Sequence, residues 1–261
     1  MRHYLGRLVA VALCVVLLCG FQIPRKDRHF YESRGDIIWE LPLERKELAL
    51  TFDDGPDPGT TVQILDLLKQ YHAKATFFVI GYRVEEYPDI VKREVAEGHE
   101  VANHTFNHVF FTRGVKSDTI RREIARTDRA LVELTGKKPF LFRPPGGYYS
   151  DAMLDVAGKL GYTTVLWSWH QDTEDWRSPG VRHIVNKVLK NARNGDIVLL
   201  HDYVSGSSMH TVNALRIILP ELERRGYRLV TVSELIADKT GELLPASNSS
   251  YRNSDFSKRA K

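Results

Sequence analysis

Cysteine is nearly absent from this sequence, and its positions restrict the chemistry that the chain can perform. Cys14 and Cys19 are the only cysteines in 261 residues, and both lie in an N-terminal apolar run. The rest of the chain therefore has no disulfide and no thiolate to offer a metal ion. Any metal site there must use histidine, aspartate and glutamate.

The usual features of nucleotide-binding and nucleic-acid-binding proteins are also missing. No glycine-rich phosphate or dinucleotide loop follows the first predicted strand. The formal net charge is only +4, and no dense basic run with interleaved aromatic residues stands out. We therefore expect no nucleic-acid partner. With 43% hydrophobic residues, the chain can bury one sizeable core, and we expect a monomeric globular protein.

The N-terminus has the pattern of an export signal. Arg2 and Arg7 precede an apolar run over residues 8–21, and polar residues follow it. The run is shorter than the roughly 20 residues that span a bilayer comfortably, yet no small-x-small cleavage site follows. Residues 1–23 are therefore predicted to be either a cleaved signal peptide or an uncleaved membrane anchor. The predicted location is the cell wall or the outer face of the cytoplasmic membrane.

From Glu47 onward, strand patterns alternate with amphipathic helix patterns. The predicted strands are ELALTF, KATFFVI, EVANH, PFLFRPP, YTTVLWSW, DIVLLHD and RLVTVSEL. Seven strands alternating with helices imply parallel pairing, in an open doubly wound sheet or a closed barrel. The missing nucleotide loop favours the barrel. We predict a catalytic domain at residues 47–239, a connector at 24–46 and a polar, disordered tail at 240–261.

Polar clusters follow five of these strands. They are DDG after LALTF, HTFNH after EVA, RPPGGYY after FLF, DTEDW after VLWSW, and His201-Asp202 after DIVLL. In a βα barrel the loops that follow the strands converge on one mouth. The five clusters are therefore predicted to form one site.

The histidines and aspartates of these clusters fit a metal centre. His104 and His108 are four residues apart, so both imidazoles would share one face if the segment formed a helical turn. Two histidines and one carboxylate hold a zinc-like ion and leave coordination positions open for catalysis. One aspartate of the pair Asp53-Asp54 can bind the metal, whose charge offsets the repulsion, while the other accepts a proton from water.

These motifs resemble those of a known family. TFDDG, HTFNH, RPPGG, DTEDW and Leu199-Leu200-His201 occur, between about Leu48 and Leu235, in the order seen in the polysaccharide deacetylases, the NodB-homology carbohydrate esterases of family 4. The resemblance implies an α/β fold, a distorted barrel of about seven βα units, and removal of acetyl groups from N-acetylated sugars. It assigns Asp53 as the catalytic base and Asp54, His104 and His108 as metal ligands. The expected cofactor is a divalent metal, first Zn²⁺, with Co²⁺ or Mn²⁺ as alternatives.

Two further catalytic roles are predicted on the same grounds. Arg143 would pair with Asp53 and orient it. His201 would be the general acid that protonates the leaving amine, and Asp175 would hold its far nitrogen and keep it protonated.

The resemblance also implies substrate contacts. The backbone N–H of Gly146 would hold the oxyanion, and Trp176 and Leu199 would line the acetyl pocket. The sequence departs from the family pattern at Gly146-Gly147, which follows Pro-Pro directly. It also has two extra residues before the aspartates of DTEDW, which could bring His170 or Gln171 into the groove.

Several functions remain open at this stage. The preferred one is N-deacetylation of N-acetylglucosamine-type residues in a cell-envelope polysaccharide, with peptidoglycan first and chitin oligomers or an exopolysaccharide as alternatives. An O-acetyl esterase would use the same groups. A catalytically inactive glycan-binding protein could have the same fold, and an iron-dependent oxygenase also uses two histidines and a carboxylate.

Overall fold

The computed structural model of the protein describes residues 26–205 and 209–241. The predicted signal peptide or anchor at residues 1–23, including the apolar run at 8–21, lies outside these residues, as does nearly all of the predicted tail at 240–261. Among the described residues, no helix combines the length and the apolar character that a membrane crossing requires.

Within the described ranges, the chain forms eight strands and nine helices. The strands are β1 (Ile37–Ile38), β2 (Glu47–Asp53), β3 (Ala75–Val79), β4 (Glu100–Asn103), β5 (Leu141–Phe142), β6 (Thr163–Val165), β7 (Ile197–His201) and β8 (Arg228–Leu229). The helices are α1 (Arg28–Ser33), α2 (Thr61–Gln70), α3 (Gly81–Glu86), α4 (Pro88–Ala96), α5 (Ser117–Thr135), α6 (Asp151–Lys159), α7 (Val181–Asn191), α8 (Met209–Arg224) and α9 (Val232–Thr240). The strand pairs are parallel, as expected when helices connect successive strands.

The sheet is a distorted, incompletely closed barrel. Its strand order is β1-β6-β5-β4-β3-β2-β7, and β8 pairs with the start of β2. The gap between the end strands β1 and β7, here called the seam, is crossed by separate backbone hydrogen bonds. The N–H of Leu41 donates to the Gly195 carbonyl at 2.9 Å, and the N–H of Ser168 donates to the Ile197 carbonyl at 3.0 Å. The predicted α/β class and barrel-type architecture are confirmed.

Alternate residues of β2 face two different environments, as strand geometry requires. Leu48, Leu50 and Phe52 pack in a core with α2, α7 and α8. Ala49 instead packs in the barrel interior, together with apolar residues of α9. Helix α9 therefore fills the end of the barrel where β2 begins. The same alternation directs Asp53 to the interior at the opposite end, which is the mouth.

Two segments differ from the sequence prediction. The described part of residues 24–46, predicted as a connector, contains α1 and β1, and β1 pairs with β6. A strand of two residues is too short to show a periodic pattern. The segment RLVTVSEL, predicted as a strand, forms β8 and then starts α9. The reason is a capping box, in which Thr231 accepts from the N–H of Glu234 and the Glu234 side chain accepts from the N–H of Thr231.

Gly195 provides a test of the seam. Its φ is +85°, and a Cβ at this position would lie 1.8 Å from the carbonyl oxygen of Leu41. We expect Gly195→Ala to lower the free energy of unfolding by at least about 2 kcal/mol, because a backbone clash adds to the left-handed strain. Gly226 also has a left-handed φ, of +79°, but open space around it, so Gly226→Ala should cost only roughly 1 kcal/mol. Urea unfolding would measure both, and equal losses would contradict a tight seam at Gly195.

Candidate active site

Asp53 and Asp54 lie at the mouth, where their carboxylates enter different surroundings. Asp53 is the last residue of β2 and is only 3% exposed. Asp54 has a φ of 76°, a left-handed conformation that turns the chain out of the strand. Oδ1 of Asp53 accepts a hydrogen bond from Arg143 at 2.6 Å, whereas Oδ1 of Asp54 faces two histidines. The turn therefore gives each carboxylate its own partners.

His104 and His108 converge on the carboxylate of Asp54. Nε2 of His104 lies 3.4 Å from Oδ1 of Asp54, and Nε2 of His108 lies 3.1 Å from it. The three ligand atoms lie within 4.8 Å of one another. Two ligand atoms that each lie at about 2.0–2.2 Å from a zinc ion can be at most about 4.4 Å apart. A small inward movement at most would therefore place all three around one ion.

The segment that carries the two histidines is a loop rather than the helical turn considered from their spacing. His104 follows β4 directly, and His108 has a positive φ of 55°. Glu123 of α5 is buried and holds this loop. Its Oε2 accepts from the backbone N–H of Asn107 at 2.7 Å, and its Oε1 accepts from the Asn107 side-chain amide at 2.8 Å. The sequence prediction did not include Glu123, since nothing in its helical pattern marks it.

A backbone carbonyl fixes the orientation of His104. Nδ1 of this ring lies 2.7 Å from the carbonyl oxygen of Arg143. A carbonyl can only accept, so Nδ1 carries the proton and Nε2 of the neutral ring keeps its lone pair. Metal-binding histidines are commonly oriented by such a second hydrogen bond. His104 therefore presents a ligand atom toward Asp54.

The surroundings of Asp54 also fit a divalent cation. Oδ1 of Asp54 is buried and has no hydrogen-bond donor among the described residues. Burial raises the pKa of this carboxyl, but His104 and His108, when they are protonated, and to a smaller extent His201 bring the pKa well below its usual range. The carboxylate is thus ionised, and a buried anionic oxygen without a donor is costly unless a cation is near. A bound divalent metal would supply that charge.

Arg143 connects the predicted base to the barrel. Its side chain is fully buried, and besides Asp53 it donates to Oγ1 of Thr51 at 2.8 Å. Its other nitrogens donate to the carbonyls of Val165 at 3.2 Å and Leu166 at 2.9 Å. Burial lowers the pKa of Arg143, and Asp53 opposes this effect. The guanidinium is therefore a buried cation whose charge is compensated by the Asp53 carboxylate.

His201 and Asp175 form a second unit next to Asp53. In the sheet register, His201 is the neighbour of Asp53 on the adjacent strand. Its Nδ1 lies 2.7 Å from Oδ1 of Asp175, and its backbone N–H donates to Oδ2 at 2.8 Å. Burial lowers the pKa of His201, but the Asp175 carboxylate, with Asp54 and Asp53, raises it to about 10. The ring is therefore an imidazolium at neutral pH.

Two buried residues to which the sequence prediction assigned no role support these groups. Thr211 of α8 donates to Oδ2 of Asp175 at 2.7 Å, and it lies outside every motif. Asp202 accepts from Thr61 at 2.6 Å, and its carboxylate packs so closely on Gly55 that a Cβ there would lie 2.0 Å from Oδ2. Burial, with Asp54, raises the pKa of Asp202 to about 7. The available signal for Asp202 was its position directly after His201.

The three predicted substrate-contact residues lie around the mouth. Leu199 precedes His201 by two residues on β7, so both side chains share one face of the strand. Trp176 follows Asp175 directly and is 49% exposed. Gly146 has a φ of +62°, and a Cβ there would lie 2.7 Å from the ring of Phe110, whose edge meets the His108 ring. The positions agree with the predicted roles, and the roles themselves stay predictions.

His170 and Gln171 do not reach the groove, contrary to the expectation from the two extra residues before DTEDW. Nε2 of His170 lies 2.9 Å from Oδ1 of Asp196, and the Gln171 amide donates to Oδ2 of the same residue at 2.8 Å. Asp196 precedes β7, whereas His201 ends it. The two extra residues therefore follow the seam at the other end of the strand.

The barrel brings two histidines and a carboxylate together, next to an arginine-bound aspartate and an imidazolium. This arrangement defines a metal-dependent hydrolase. The sequence model of the family described as polysaccharide deacetylase matches residues 40–165. A peptidoglycan-N-acetylglucosamine deacetylase of Bacillus cereus is 53% identical over 208 residues, which are 80% of this chain and 96% of that relative. The chain therefore belongs to the polysaccharide deacetylase family.

Solved structures agree with this assignment. The crystal structure of the Bc1960 peptidoglycan N-acetylglucosamine deacetylase, in complex with 4-naphthalen-1-yl-N-oxidanyl-benzamide, has a TM-score of 0.75 at 37% identity and covers 80% of this chain and 96% of that one. A family 4 acetyl xylan esterase from Clostridium thermocellum, in complex with a cobalt ion, has a TM-score of 0.69 at 35% identity and covers 80% and 97% of the two chains. The parallel sheet and these relatives exclude the iron-oxygenase alternative, whose jelly roll is antiparallel.

The metal content of single variants should distinguish the roles of Asp53 and Asp54. We expect His104→Ala and Asp54→Ala to lose the metal of this site, because each removes one of three ligands. Asp53→Asn should retain it, because Asp53 binds Arg143 instead. Metal content after dialysis against metal-free buffer would measure this, with circular dichroism as the control for folding. Equal metal loss in Asp53→Asn and His104→Ala would contradict the separate roles.

Proposed function

We propose that the chain hydrolyses the N-acetyl groups of N-acetylglucosamine residues in a cell-envelope polysaccharide, with peptidoglycan as the preferred substrate. The observation that carries this proposal is the placement of Asp53 between a metal-type cluster and an imidazolium. A base, a cation site and an acid that surround one point are the groups that amide hydrolysis needs. The relative with 53% identity, named a peptidoglycan-N-acetylglucosamine deacetylase, supports the choice of substrate.

Zn²⁺ is our proposal for the metal, and Asp54, His104 and His108 would hold it. Two imidazole nitrogens and one carboxylate oxygen are typical donors of catalytic zinc, and Co²⁺ or Mn²⁺ are the alternatives. When bound, the ion supplies Lewis acidity that makes water more acidic and polarises the acetyl carbonyl.

Asp53 would act as the general base that takes the proton from the attacking water. Its carboxylate is held by Arg143 at 2.6 Å and therefore keeps a fixed orientation. Because the arginine is fully buried, the pair needs little reorganisation during the reaction. Oδ2 of Asp53 lies 3.7 Å from Nε2 of His104, so the second oxygen is on the side of the metal cluster, where the water would be.

His201 would act as the general acid that protonates the leaving amine. Nδ1 is engaged with Asp175 at 2.7 Å, so Nε2 carries the proton that can be transferred. An amine nitrogen leaves poorly as an anion, and a positioned acid contributes about 10²–10⁴ in rate. Gly146 would stabilise the oxyanion through its N–H, and Trp176 and Leu199 would enclose the acetyl methyl group.

Two alternatives use the same fold. An O-acetyl esterase needs the same base and acid, and the solved neighbour named an acetyl xylan esterase makes this the strongest alternative. A catalytically inactive glycan-binding protein is disfavoured by the complete set of groups, since binding alone requires neither the buried pair Arg143-Asp53 nor the pair His201-Asp175.

For the location, we propose export to the cell envelope through residues 1–23, with anchoring through residues 8–21 or cleavage behind them.

The products distinguish these functions. We expect the zinc-loaded full-length chain to release acetate from peptidoglycan and to form one amine per acetate, because amide hydrolysis produces both. Chitin oligomers and acetylated xylan serve as competing substrates, with free acetate and new amines measured in parallel. Asp53→Asn should lower the rate by about 10²–10⁴ because it removes the base.

The same assay can also give results that contradict the proposed N-deacetylation. Acetate without amines would identify an O-acetyl esterase. No acetate from any of the three substrates, with the metal bound, would contradict the proposed hydrolysis and favour the glycan-binding alternative. A faster reaction on chitin oligomers than on peptidoglycan would overturn the substrate preference but keep the chemistry.

The pH profile tests the acid. The protonated ring is the active form, and its pKa is raised to about 10, so activity should fall as the pH rises through this region. Asp175→Asn removes the main cause of the raised pKa. The alkaline fall should then begin at least roughly one pH unit lower, and the maximal rate should also decrease. Initial rates from pH 6 to pH 11 would measure both effects.

Asp172→Asn is the matched control for this experiment. It removes one charge from the same loop, and the amide oxygen can still accept the hydrogen bond that Asp172 takes from the N–H of Glu174. The alkaline fall of its pH–rate profile should coincide with that of the unmodified chain. If both variants moved this fall equally, the effect would be general electrostatics, and the assignment of Asp175 to His201 would be wrong.

A further inference from the structure

Three side chains of metal-binding type meet at the seam, away from the mouth. Glu40 follows β1, His170 lies in the turn Trp169–Gln171, and Asp196 precedes β7. One ligand atom from each lies within 4.8 Å of the other two. These residues come from both sides of the seam and from the segment between them. The extra residues before DTEDW, which the proposed function does not use, therefore lie in this cluster.

Asp196 is held in a fixed orientation. It is 2% exposed, and its Oδ2 accepts from the Gln171 amide at 2.8 Å and from the N–H of Arg193 at 2.8 Å. Its other oxygen, Oδ1, faces Nε2 of His170 at 2.9 Å. Carboxylates that bind metals are commonly held by such outer hydrogen bonds. Oδ1 and Nε2 are thus in direct hydrogen-bond contact, and a cation bound to both would replace the proton between them.

Two buried oxygens at this cluster lack a donor among the described residues. They are Oε2 of Glu40 and Oε1 of Gln171. Gln171 is fully buried, and its amide nitrogen already binds Asp196, so its Oε1 lies close to the same carboxylate. Arg28 binds the other oxygen of Glu40 at 2.9 Å. If the cluster held only ion pairs, these two buried acceptors would have no partner, which costs free energy of folding. A bound cation would supply the positive charge that they lack.

We propose that Glu40, His170 and Asp196 form a second divalent-cation site, of the zinc class, that joins the two sides of the seam. The donors are one imidazole nitrogen and two carboxylate oxygens, a set that suits Zn²⁺ better than Ca²⁺ or Mg²⁺, which prefer oxygen alone. Ligand atoms around zinc lie at most about 4.4 Å apart, and because the three atoms lie within 4.8 Å of one another, a movement of at most a few tenths of an ångström would suffice. The ion would bridge the barrel where the sheet has no continuous strand pairing.

Solvent can reach this site. The side chain of His170 is 21% exposed and that of Glu40 is 29% exposed, so an ion can enter from outside. Because the ion binds the folded chain, it would stabilise the fold. The site would then serve a structural purpose in a barrel that has no disulfide.

Zinc titration of the tag-free, full-length chain tests the proposal. We expect about two zinc ions per chain, about one for His104→Ala, and about none for His104→Ala combined with Glu40→Gln. Stoichiometry would be measured by calorimetry and by metal analysis after dialysis. At zinc concentrations roughly 100-fold above the dissociation constant, the unfolding midpoint of His104→Ala should rise by about 5–10 °C, and that of the double variant should not.

Two further variants complete the design. Glu40→Gln keeps the shape of the side chain, and His170→Gln removes the second ligand independently, so a folding defect in one variant does not decide the result. His183 is an exposed histidine whose Nε2 lies 4.0 Å from Glu174, and His183→Ala should retain both ions. The proposal is overturned if His104→Ala binds no zinc, or if it binds zinc equally well with and without Glu40 and His170.

Discussion

Repulsion between the carboxylates of Asp53 and Asp54 is the constraint on which the architecture of the site depends. The chain turns at Asp54, so that one carboxylate meets Arg143 and the other meets two histidines. Arg143 acts on both sides of this division, since its guanidinium binds Asp53 while its carbonyl orients His104. A buried cation with these contacts is stable only if its partner stays charged. Base, arginine and metal ligand therefore form one interdependent unit.

The base of this unit, Asp53, lies on a buried central strand. Every residue of β2 is buried, and the strand contacts β3, β7 and β8. Asp53 and His201 end neighbouring strands in register, so their separation is set by the sheet rather than by a loop. Sites that strands hold in this way need little reorganisation before reaction. The segments beyond the strands contribute His108 and Trp176.

The sequence predicted those features of the fold and the site that depend on short, local residue patterns. Alternating apolar residues located the strands, and the polar residues behind them located Asp53, Asp54, His104 and His201 at one mouth. It did not predict the local structures that are determined by contacts between segments distant in the sequence. The two-residue strand β1 exists because β6 pairs with it, and the loop geometry of His108 depends on Glu123 of α5. The expected reach of His170 toward the groove was wrong because Asp196, at the start of β7, binds it.

Helix α9 has a consequence for the way a polymer is processed. In the part of the chain that the structure describes, its apolar residues pack in the barrel interior beside Ala49 and close the end of the barrel opposite the mouth. A polysaccharide chain cannot thread through such a cup and must lie across its rim. Sugars in the middle of a long strand are then as accessible as those at its ends. The modified strand can also dissociate sideways, without sliding off from one terminus.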